Sequence, residues 1–371
     1  MKRVLLVQPI LSHYRESLFN LLIDDDTINF LIVAGKDING VKEFRSKDNK
    51  RIVAGLKNVS FNFAGKTFYF QKGLWGYTKK FRPTNIILGG PDFHFISTLF
   101  MSFYIILFTK IKIHYWTHGF SKNKSLFIKW ILKFLYSRAC SIFTYEKNGK
   151  NHIANYLGIE KKKIIIVKNC LNDWDYGFNT KQTIDVSKEN NKLKILFSGR
   201  LTRKKRVDIL LKAIHKLSLN TKIPIECIII GDGSCREELE ILTDKLGIKQ
   251  LILFKGEIYD KDVREYFINS NIFVLPGKVG LSIIHALSYG LPVITTSLPI
   301  HSPEFEILTD NYNAFLYDSF SYSDLAKKLE LIYDKMKNST LNTDNCIDSI
   351  IEKGYTPHAM KECFINGISN Y

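Results

Sequence analysis

The sequence predicts an α/β chain of two domains, each a parallel sheet covered by helices on both faces. Three observations predict it. The chain has 371 residues, more than one hydrophobic core usually serves. Strand-like apolar runs alternate with helical stretches through both halves, the order that builds parallel sheets. Between the two sets lies a polar stretch, residues 172–192, rich in Asn, Asp and Lys. The boundaries that follow are 1–171 for the first domain, 172–192 for the linker, 193–350 for the second domain and 351–371 for a C-terminal helix. Hydrophobic residues make up 45% of the chain, enough for a core in each half and against disorder.

Taken in order, residues 3–8 read as a strand and 13–23 as a helix. Residues 30–34, 85–88 and 112–116 read as further strands. The most apolar stretch, 93–108, is shorter than the roughly 20 residues a bilayer span needs and reads as a buried helix, with a membrane-dipping helix as the minority alternative. Residues 124–138 carry apolar side chains at helical spacing with Lys on the other face; 141–145 and 164–167 are again strand-like. In the second set, 194–197, 226–230, 251–254, 272–275 and 292–295 read as strands. Residues 207–217, 236–246, 282–288 and 324–333 read as helices.

Charge is distributed unevenly. Residues 1–171 hold 28 Lys and Arg against 10 Asp and Glu, a net of +18, and the remainder holds 25 against 26. A codon bias toward Lys would load both halves alike, so the asymmetry points to a polyanionic partner of the first half: nucleic acid or an anionic membrane surface. Lys110, Lys112, Lys122, Lys124, Lys129 and Lys133 lie beside Phe127, Trp130, Ile131 and Phe134. That pattern suits anionic lipid headgroups, or else a solvated lysine face on a core helix. Lys2 and Arg3 precede only Val4-Leu5-Leu6-Val7, too short for a signal-peptide core. The six cysteines lack metal-ligand spacing and read as reduced cytosolic thiols.

The chemistry-bearing motifs sit in the second half. Gly199-Arg200-Leu201 ends a strand and Lys205 precedes a helix, so Arg200 and Lys205 lie where open α/β sheets bind ligands. An Arg fork and a mobile Lys charge suit a diphosphate; a solvated basic turn is the plainer reading of that motif by itself. Gly231-Asp232-Gly233 lacks the third glycine of a dinucleotide fingerprint and reads as a tight turn. The segment 276–286 runs from a strand through a glycine-bearing loop into a helix. Free backbone N–H groups at Gly280, Leu281 and Ser282 make an anion site there, with His285 one turn on. An ordinary helix start with a core histidine is the alternative.

In series, Gly199-Arg200-Leu201 with Lys205, Gly231-Asp232-Gly233 with Glu238-Leu239, Phe254-Lys255-Gly256, Pro276 to Pro292-Val293, and Pro303-Glu304 resemble the C-terminal half of the retaining family 4 glycosyltransferases over residues 193–335. In the first half, the run from Pro9 to Arg15 resembles the acceptor-side loop after the family's first strand. His118-Gly119 falls where the family places a catalytic-site histidine, and Val167-Lys168-Asn169 matches the entry to its linker. The resemblance implies two Rossmann-like domains facing across a cleft (GT-B), with the C-terminal helix crossing back to the first domain. It also implies retaining transfer, by a hexosyl- or N-acetylhexosaminyltransferase, from a nucleotide-diphosphate sugar, UDP-linked by expectation. The acceptor would be a lipid-diphosphate-linked glycan of O-antigen or capsule synthesis.

The roles it assigns are catalytic for His118, Arg200 and Lys205. Donor contacts fall to Gly199, Arg200, Lys205, Gly280, Leu281, Ser282 and His285, with the base near Gly256, Glu257 and Ile258. Ser12, His13, Tyr14 and Arg15 are assigned to the acceptor side. No metal or other cofactor is expected, since the resemblance implies that basic side chains take the place of Mg²⁺. The expected location is cytoplasmic, peripherally on the inner leaflet. One departure stands out: the family has two glutamates with seven residues between them, the first on the donor sugar and the second on the ribose, and here those positions hold Gly277 and His285. His285 can hydrogen-bond a ribose hydroxyl, but Gly277 cannot replace a carboxylate. A sugar-nucleotide epimerase or hydrolase of the same architecture, or an inactive member acting as a binding partner, are the alternatives. Nucleic-acid binding is disfavoured, because no recognised module for it appears.

Overall fold

The computed structural model describes residues 1–36, 51–119, 125–177, 192–258, 260–318 and 320–370. The chain divides into two compact units, Met1–Asn172 with Thr356–Tyr371, and Asp173–Tyr355. Lys122, Lys124 and most of the expected linker lie outside the described residues.

The first unit begins β1 (Lys2–Gln8), α1 (Glu16–Ile23), β2 (Ile28–Lys36), β3 (Ile52–Phe63), β4 (Lys66–Lys72), α2 (Leu74–Phe81) and β5 (Asn85–Gly89). It continues through α3 (Ile96–Phe108), β6 (Lys112–Thr117), α4 (Leu126–Arg138), β7 (Ser141–Thr144), α5 (Lys147–Leu157) and β8 (Ile164–Ile166). The sheet order is β4-β3-β2-β1-β5-β6-β7-β8. All pairs are parallel except the hairpin β3–β4. Val4, Leu5, Leu6 and Val7 are all fully buried because β1 is central and covered on both faces: Val4 and Leu6 enter one core cluster and Leu5 and Val7 the other.

Three sequence expectations for this unit change. The helix expected over 13–23 starts later, because His13–Arg15 forms a 3-10 turn closed by Arg15 N donating to Ser12 O at 3.1 Å. The hairpin β3–β4 was not expected. Its signal is the alternation of Val59, Phe61 and Phe63 against Phe68 and Phe70 about Ala64-Gly65, both at positive φ. Finally, α3 is not a buried helix. It buries Met101 and Ile105 but leaves Phe100, Tyr104, Leu107 and Phe108 exposed, a single stripe at helical spacing. On α4, Leu126, Phe127 and Trp130 are exposed as well. Among the described residues, no helix is long and apolar enough to cross a membrane.

The second unit contains β9 (Leu193–Ser198), α6 (Val207–Asn220), β10 (Ile225–Ile230), α7 (Arg236–Lys245), β11 (Ile252–Gly256) and α8 (Arg264–Ile268). It goes on with β12 (Ile272–Leu275), α9 (Ser282–Ser288), β13 (Val293–Thr296), β14 (Ala314–Tyr317), α10 (Tyr322–Lys337) and α11 (Asp344–Glu352). Its six strands run in the order β11-β10-β9-β12-β13-β14, paired in parallel throughout. This is the doubly wound Rossmann order, which reverses between β9 and β12. The strands read from sequence are all present; β14, α8 and α11 were not read.

The chain then returns to the first unit as α12 (Pro357–Ser369), capped by the Thr356 hydroxyl. Phe364 packs edge-on against Trp116 at 4.9 Å and Phe143 at 4.7 Å. Gly367 sits so close to β7 that an added Cβ would strike the Phe143 ring, and its carbonyl accepts from Ser141 Oγ at 2.6 Å. Lys361 pairs with the largely buried Asp25 at 2.9 Å. Burial acts to raise the Asp25 pKa, but hydrogen bonds from Thr27, Lys361 and Ile28 outweigh it and hold it at about 2. Phe364→Ala is expected to destabilise the first unit by about 3–5 kcal/mol, the usual cost of an aromatic-to-alanine cavity, read as a lower urea midpoint.

Candidate functional site

In the second unit, β9 pairs with β10 on one side and β12 on the other. The loops leaving the carboxyl ends of β9 and β12 therefore flank the switch point where doubly wound sheets take ligands. Those two loops touch. A Cβ on Gly277 would fall on Lys204 O and lie 2.7 Å from the Lys205 carbonyl carbon, so only glycine fits. Lys278 N donates to Lys204 O at 2.9 Å, and Lys205 Nζ donates back to Lys278 O at 2.8 Å. On the far side, Val279 N donates to His301 Nδ1 at 3.2 Å.

Lys205 is half-buried. Desolvation first, then the charges of Lys278 and Arg200, bring its pKa down to about 8, while Glu304 acts in the opposite direction. Arg200 is exposed and joins the cluster through its charge. Gly280 lies beside Lys205: a Cβ there would be 3.9 Å from Nζ. With Leu281 and Ser282 it leads into α9, which has only seven residues. So short a helix adds little dipole, and the cations and loop amides carry most of the attraction for an anion.

The neighbouring strand ends are laced together. Gly199 N donates to Ile230 O at 3.0 Å, Gly231 N to Gly256 O at 2.7 Å and Leu201 N to Asp232 O at 2.8 Å. Gly231, at φ 126°, has no room for a side chain against Gly199 O. Gly256 thus joins the same sheet edge as Gly199, and the exposed Glu257 and half-buried Ile258 follow it. The His285 ring packs on Phe267 at 4.2 Å and Tyr289 at 5.4 Å. Burial, then the charge of Arg264, lowers its pKa to about 4, so it is neutral at physiological pH.

The first unit holds a cavity of about 610 Å³ at its own switch point, the carboxyl ends of β1 and β5, lined by Gln8, Ser12, Arg15, Asp92, His94 and His118 among others. His13 and Tyr14 are not among its lining residues. The His13 ring abuts Tyr14 edge-on at 6.0 Å, and its carbonyl accepts from Asn172 Nδ2 at 2.9 Å. Arg15 is 7% exposed. Its guanidinium lies 4.7 Å from the Trp116 ring, 5.1 Å from Tyr14 and 5.5 Å from Tyr145. It donates to Tyr145 Oη at 2.9 Å and Asn169 Oδ1 at 3.1 Å.

His118 stacks face-to-face on Tyr145, centroids 4.1 Å apart. Burial of that face, and then the Arg15 charge, lowers its pKa to about 4. The other edge of the ring is open to solvent, which limits the first effect. Burial and the Arg15 charge together leave the imidazole neutral at neutral pH. His118 also borders a second, polar hollow of about 810 Å³ along α5, lined by Glu146, Asn148, Asn151, His152 and Asn155.

Residues 179–343 match the family described as Glycosyl transferases group 1. This chain carries a group 1 glycosyl transferase domain. A Campylobacter jejuni α-1,4-N-acetyl-D-galactosaminyltransferase, named for an undecaprenol-diphosphate-linked glycan, is 31% identical over 156 residues, 42% of each chain. The chain spans less than half the length of the first curated relatives it matches. Among solved structures, a glycosyltransferase from Rickettsia africae superposes with a TM-score of 0.72 at 15% identity, over 98% of this chain and 97% of that one. The Anabaena protein HepE in complex with UDP gives 0.66 at 13% identity over the whole of both chains. These likenesses give the fold: GT-B, with parallel sheets in two domains.

Within the group 1 domain the structure gathers Gly199, Arg200, Lys205, Gly280, Gly256 and the expected neighbours of each along one sheet edge. It also adds Lys278 and His301, which motif reading passed over, and Glu304, quoted there as a motif but given no role. In the first unit it adds Trp116, Tyr145 and Asn169 as the cage of Arg15 and the platform of His118. Lys205 gives this edge a pH signature. Its charge is present below about pH 8 and is lost above it, so pyrophosphate affinity should fall as pH rises through that value. Lys205→Arg should flatten the fall, and Lys205→Ala should weaken binding about ten- to a hundred-fold. Titration calorimetry reads all three.

Proposed function

We propose that this protein transfers a sugar from a nucleoside-diphosphate sugar to a lipid-diphosphate-linked glycan in bacterial surface-polysaccharide synthesis, with retention of anomeric configuration. The observation that carries this reading is the cation-lined loop pair at the β9/β12 switch point of a group 1 glycosyl transferase domain. As the glycosidic bond breaks, the leaving diphosphate gains charge. Lys205, Arg200 and the N–H groups of Gly280, Leu281 and Ser282 are aimed to stabilise it, the preorganised electrostatics on which such a step depends. These cations act where Mg²⁺ acts in other transferases, so the chemistry proceeds without a metal.

The base lies along Gly256, Glu257 and Ile258, and uridine is favoured because a protein of the same fold binds UDP. His285, neutral, hydrogen-bonds a ribose hydroxyl. His118, also neutral, offers a hydrogen bond to a sugar hydroxyl rather than a charge. Ser12 and Arg15 face the acceptor. Supplied with a panel of UDP-sugars and an undecaprenyl-diphosphate-linked glycan, the protein should move one sugar onto the lipid, unaffected by EDTA. Free or epimerised sugar formed at the same rate without acceptor would overturn transfer in favour of an epimerase or hydrolase.

The acceptor is a membrane lipid, and the first unit has a face suited to reach it. The exposed stripe Phe100, Tyr104, Leu107 and Phe108 on α3 adjoins Leu126, Phe127 and Trp130 on α4, the helices being joined by the Phe103–Phe134 stack. Exposed Lys110, Lys112 and Lys133 supply positive charge nearby. Apolar side chains enter the headgroup boundary while each basic group adds about 1 kcal/mol on an anionic surface. Vesicles containing anionic lipid should therefore bind the protein in two separable parts. Lys110→Glu with Lys133→Glu should remove the salt-sensitive part, which is screened over about 8 Å at physiological ionic strength. Phe108→Ser with Trp130→Ser should remove the part that persists in high salt. Co-sedimentation unchanged in both variants would exclude this face.

A further inference from the structure

We propose that His301 is a positioning residue: its bare Nδ1 holds the Val279 N–H and thereby sets the loop amides and Lys205 in register for a diphosphate. The proposal rests on the donor-site reading above and goes beyond it, since neither the motifs nor the family resemblance gives this position a role.

The geometry fixes the chemistry of the ring. Nε2 lies 2.8 Å from Thr296 O, at the carboxyl end of β13. A carbonyl oxygen can only accept, so Nε2 carries the proton and Nδ1 is left as an acceptor. Nδ1 is where Val279 N–H arrives, at 3.2 Å. The ring plane is held by stacking on Phe305, 4.3 Å between centroids and 10° from parallel. His301 is thus a strut from the β13 end to the loop that follows β12.

The strut matters because of what else holds that loop. Lys204 O and Lys205 Nζ grip residue 278 from one side, and His301 grips residue 279 from the other. The peptides that follow, at Gly280 and Leu281, are those assigned to the diphosphate. A hydrogen bond that fixes the Val279 peptide plane fixes the direction in which the next N–H starts. Preorganised donors of this kind cost no rearrangement when the ligand's charge arrives.

Protonation would undo the strut, since Nδ1–H would then face Val279 N–H, donor against donor. The surroundings resist it: burial first, and the charges of Lys205 and Lys278, lower the His301 pKa, while the bond to Thr296 O acts the other way. Glu304 and Glu306 are the acids on the 3-10 segment Pro303–Ile307 that follows it, and Glu304 faces Lys205. The sign follows. The strut is present at neutral pH and fails as pH falls through the lowered imidazole pKa, whereas the Lys205 effect appears at the alkaline end.

The test is calorimetric titration of the full chain with UDP, and with inorganic pyrophosphate, in steps from about pH 7 down to about pH 4, well below the ordinary imidazole pKa because that of His301 is lowered. His301→Leu should bind about three- to ten-fold more weakly at pH 7, the span of one lost hydrogen bond. His301→Asn keeps an acceptor at the Nδ1 position and cannot titrate, so it should bind within about two-fold of wild type. It should also lose less affinity than wild type between about pH 7 and about pH 4. The ligand's own titration is common to both proteins and cancels in that comparison, which still decides the matter if His301→Leu does not fold. Equal binding by wild type and His301→Leu, or parallel losses of wild type and His301→Asn on acidification, would overturn the role of His301 alone. A wild-type protein that binds neither UDP nor pyrophosphate would overturn the donor-site reading itself.

Discussion

The contact between two main-chain segments, Gly277 against Lys204 and Lys205, is the constraint on which the candidate site depends. There is no gap between them for even one carbon atom. Because they touch, Lys278 can donate to Lys204 and Lys205 can reach back to Lys278. Three cations, Arg200, Lys205 and Lys278, are consequently held near one another and repel. That repulsion adds to desolvation in drawing the Lys205 pKa down. A site in this condition gains from an incoming anion twice: once by direct attraction and once by relief of the repulsion. The same contact explains the departure from the two-glutamate pattern. A carboxylate at position 277 would need the loops to separate, so its absence is part of the backbone arrangement rather than a simple loss.

The first unit is organised about a charge of a different kind. Taking a guanidinium out of water is costly, and Arg15 is buried. Three aromatic rings and two hydrogen-bonding side chains offset that cost. The cage draws its parts from the loop after β1, the ends of β6 and β7, and the segment after β8. His118 rests on one wall of that cage: Tyr145 orients its ring, and burial with the charge of Arg15 keeps it neutral.

Most of the second unit was legible in the sequence. Its central strands are short apolar runs closed by glycines, and Gly199, Gly231 and Gly256 mark three adjacent strand ends that hydrogen bonds join. The strut at His301 was not legible, because it joins residues 22 positions apart through a turn whose path no local pattern records. The first unit was read less well. Apolar spacing locates α3 and α4 but does not tell which face the protein covers, so the stripe of Phe100, Tyr104 and Leu107 reads as core from sequence although it is exposed. The β3–β4 hairpin escaped for a related reason: its phenylalanines alternate as a strand should, yet Phe61 and Phe63 point to solvent.

The place of α12 in the first unit has a consequence for synthesis. The second unit is one continuous segment, Asp173–Tyr355, whereas the first is assembled from Met1–Asn172 and from residues that follow the second. On the ribosome, the whole of the second unit emerges before the helix that completes the first. Until then Trp116 and Phe143 lack Phe364, the Asp25 carboxylate lacks Lys361, and the apolar face of β7 and β8 stays open. The nascent first unit must therefore persist as an incomplete core while its neighbour folds, the interval in which exposed apolar surface invites misassembly or a chaperone.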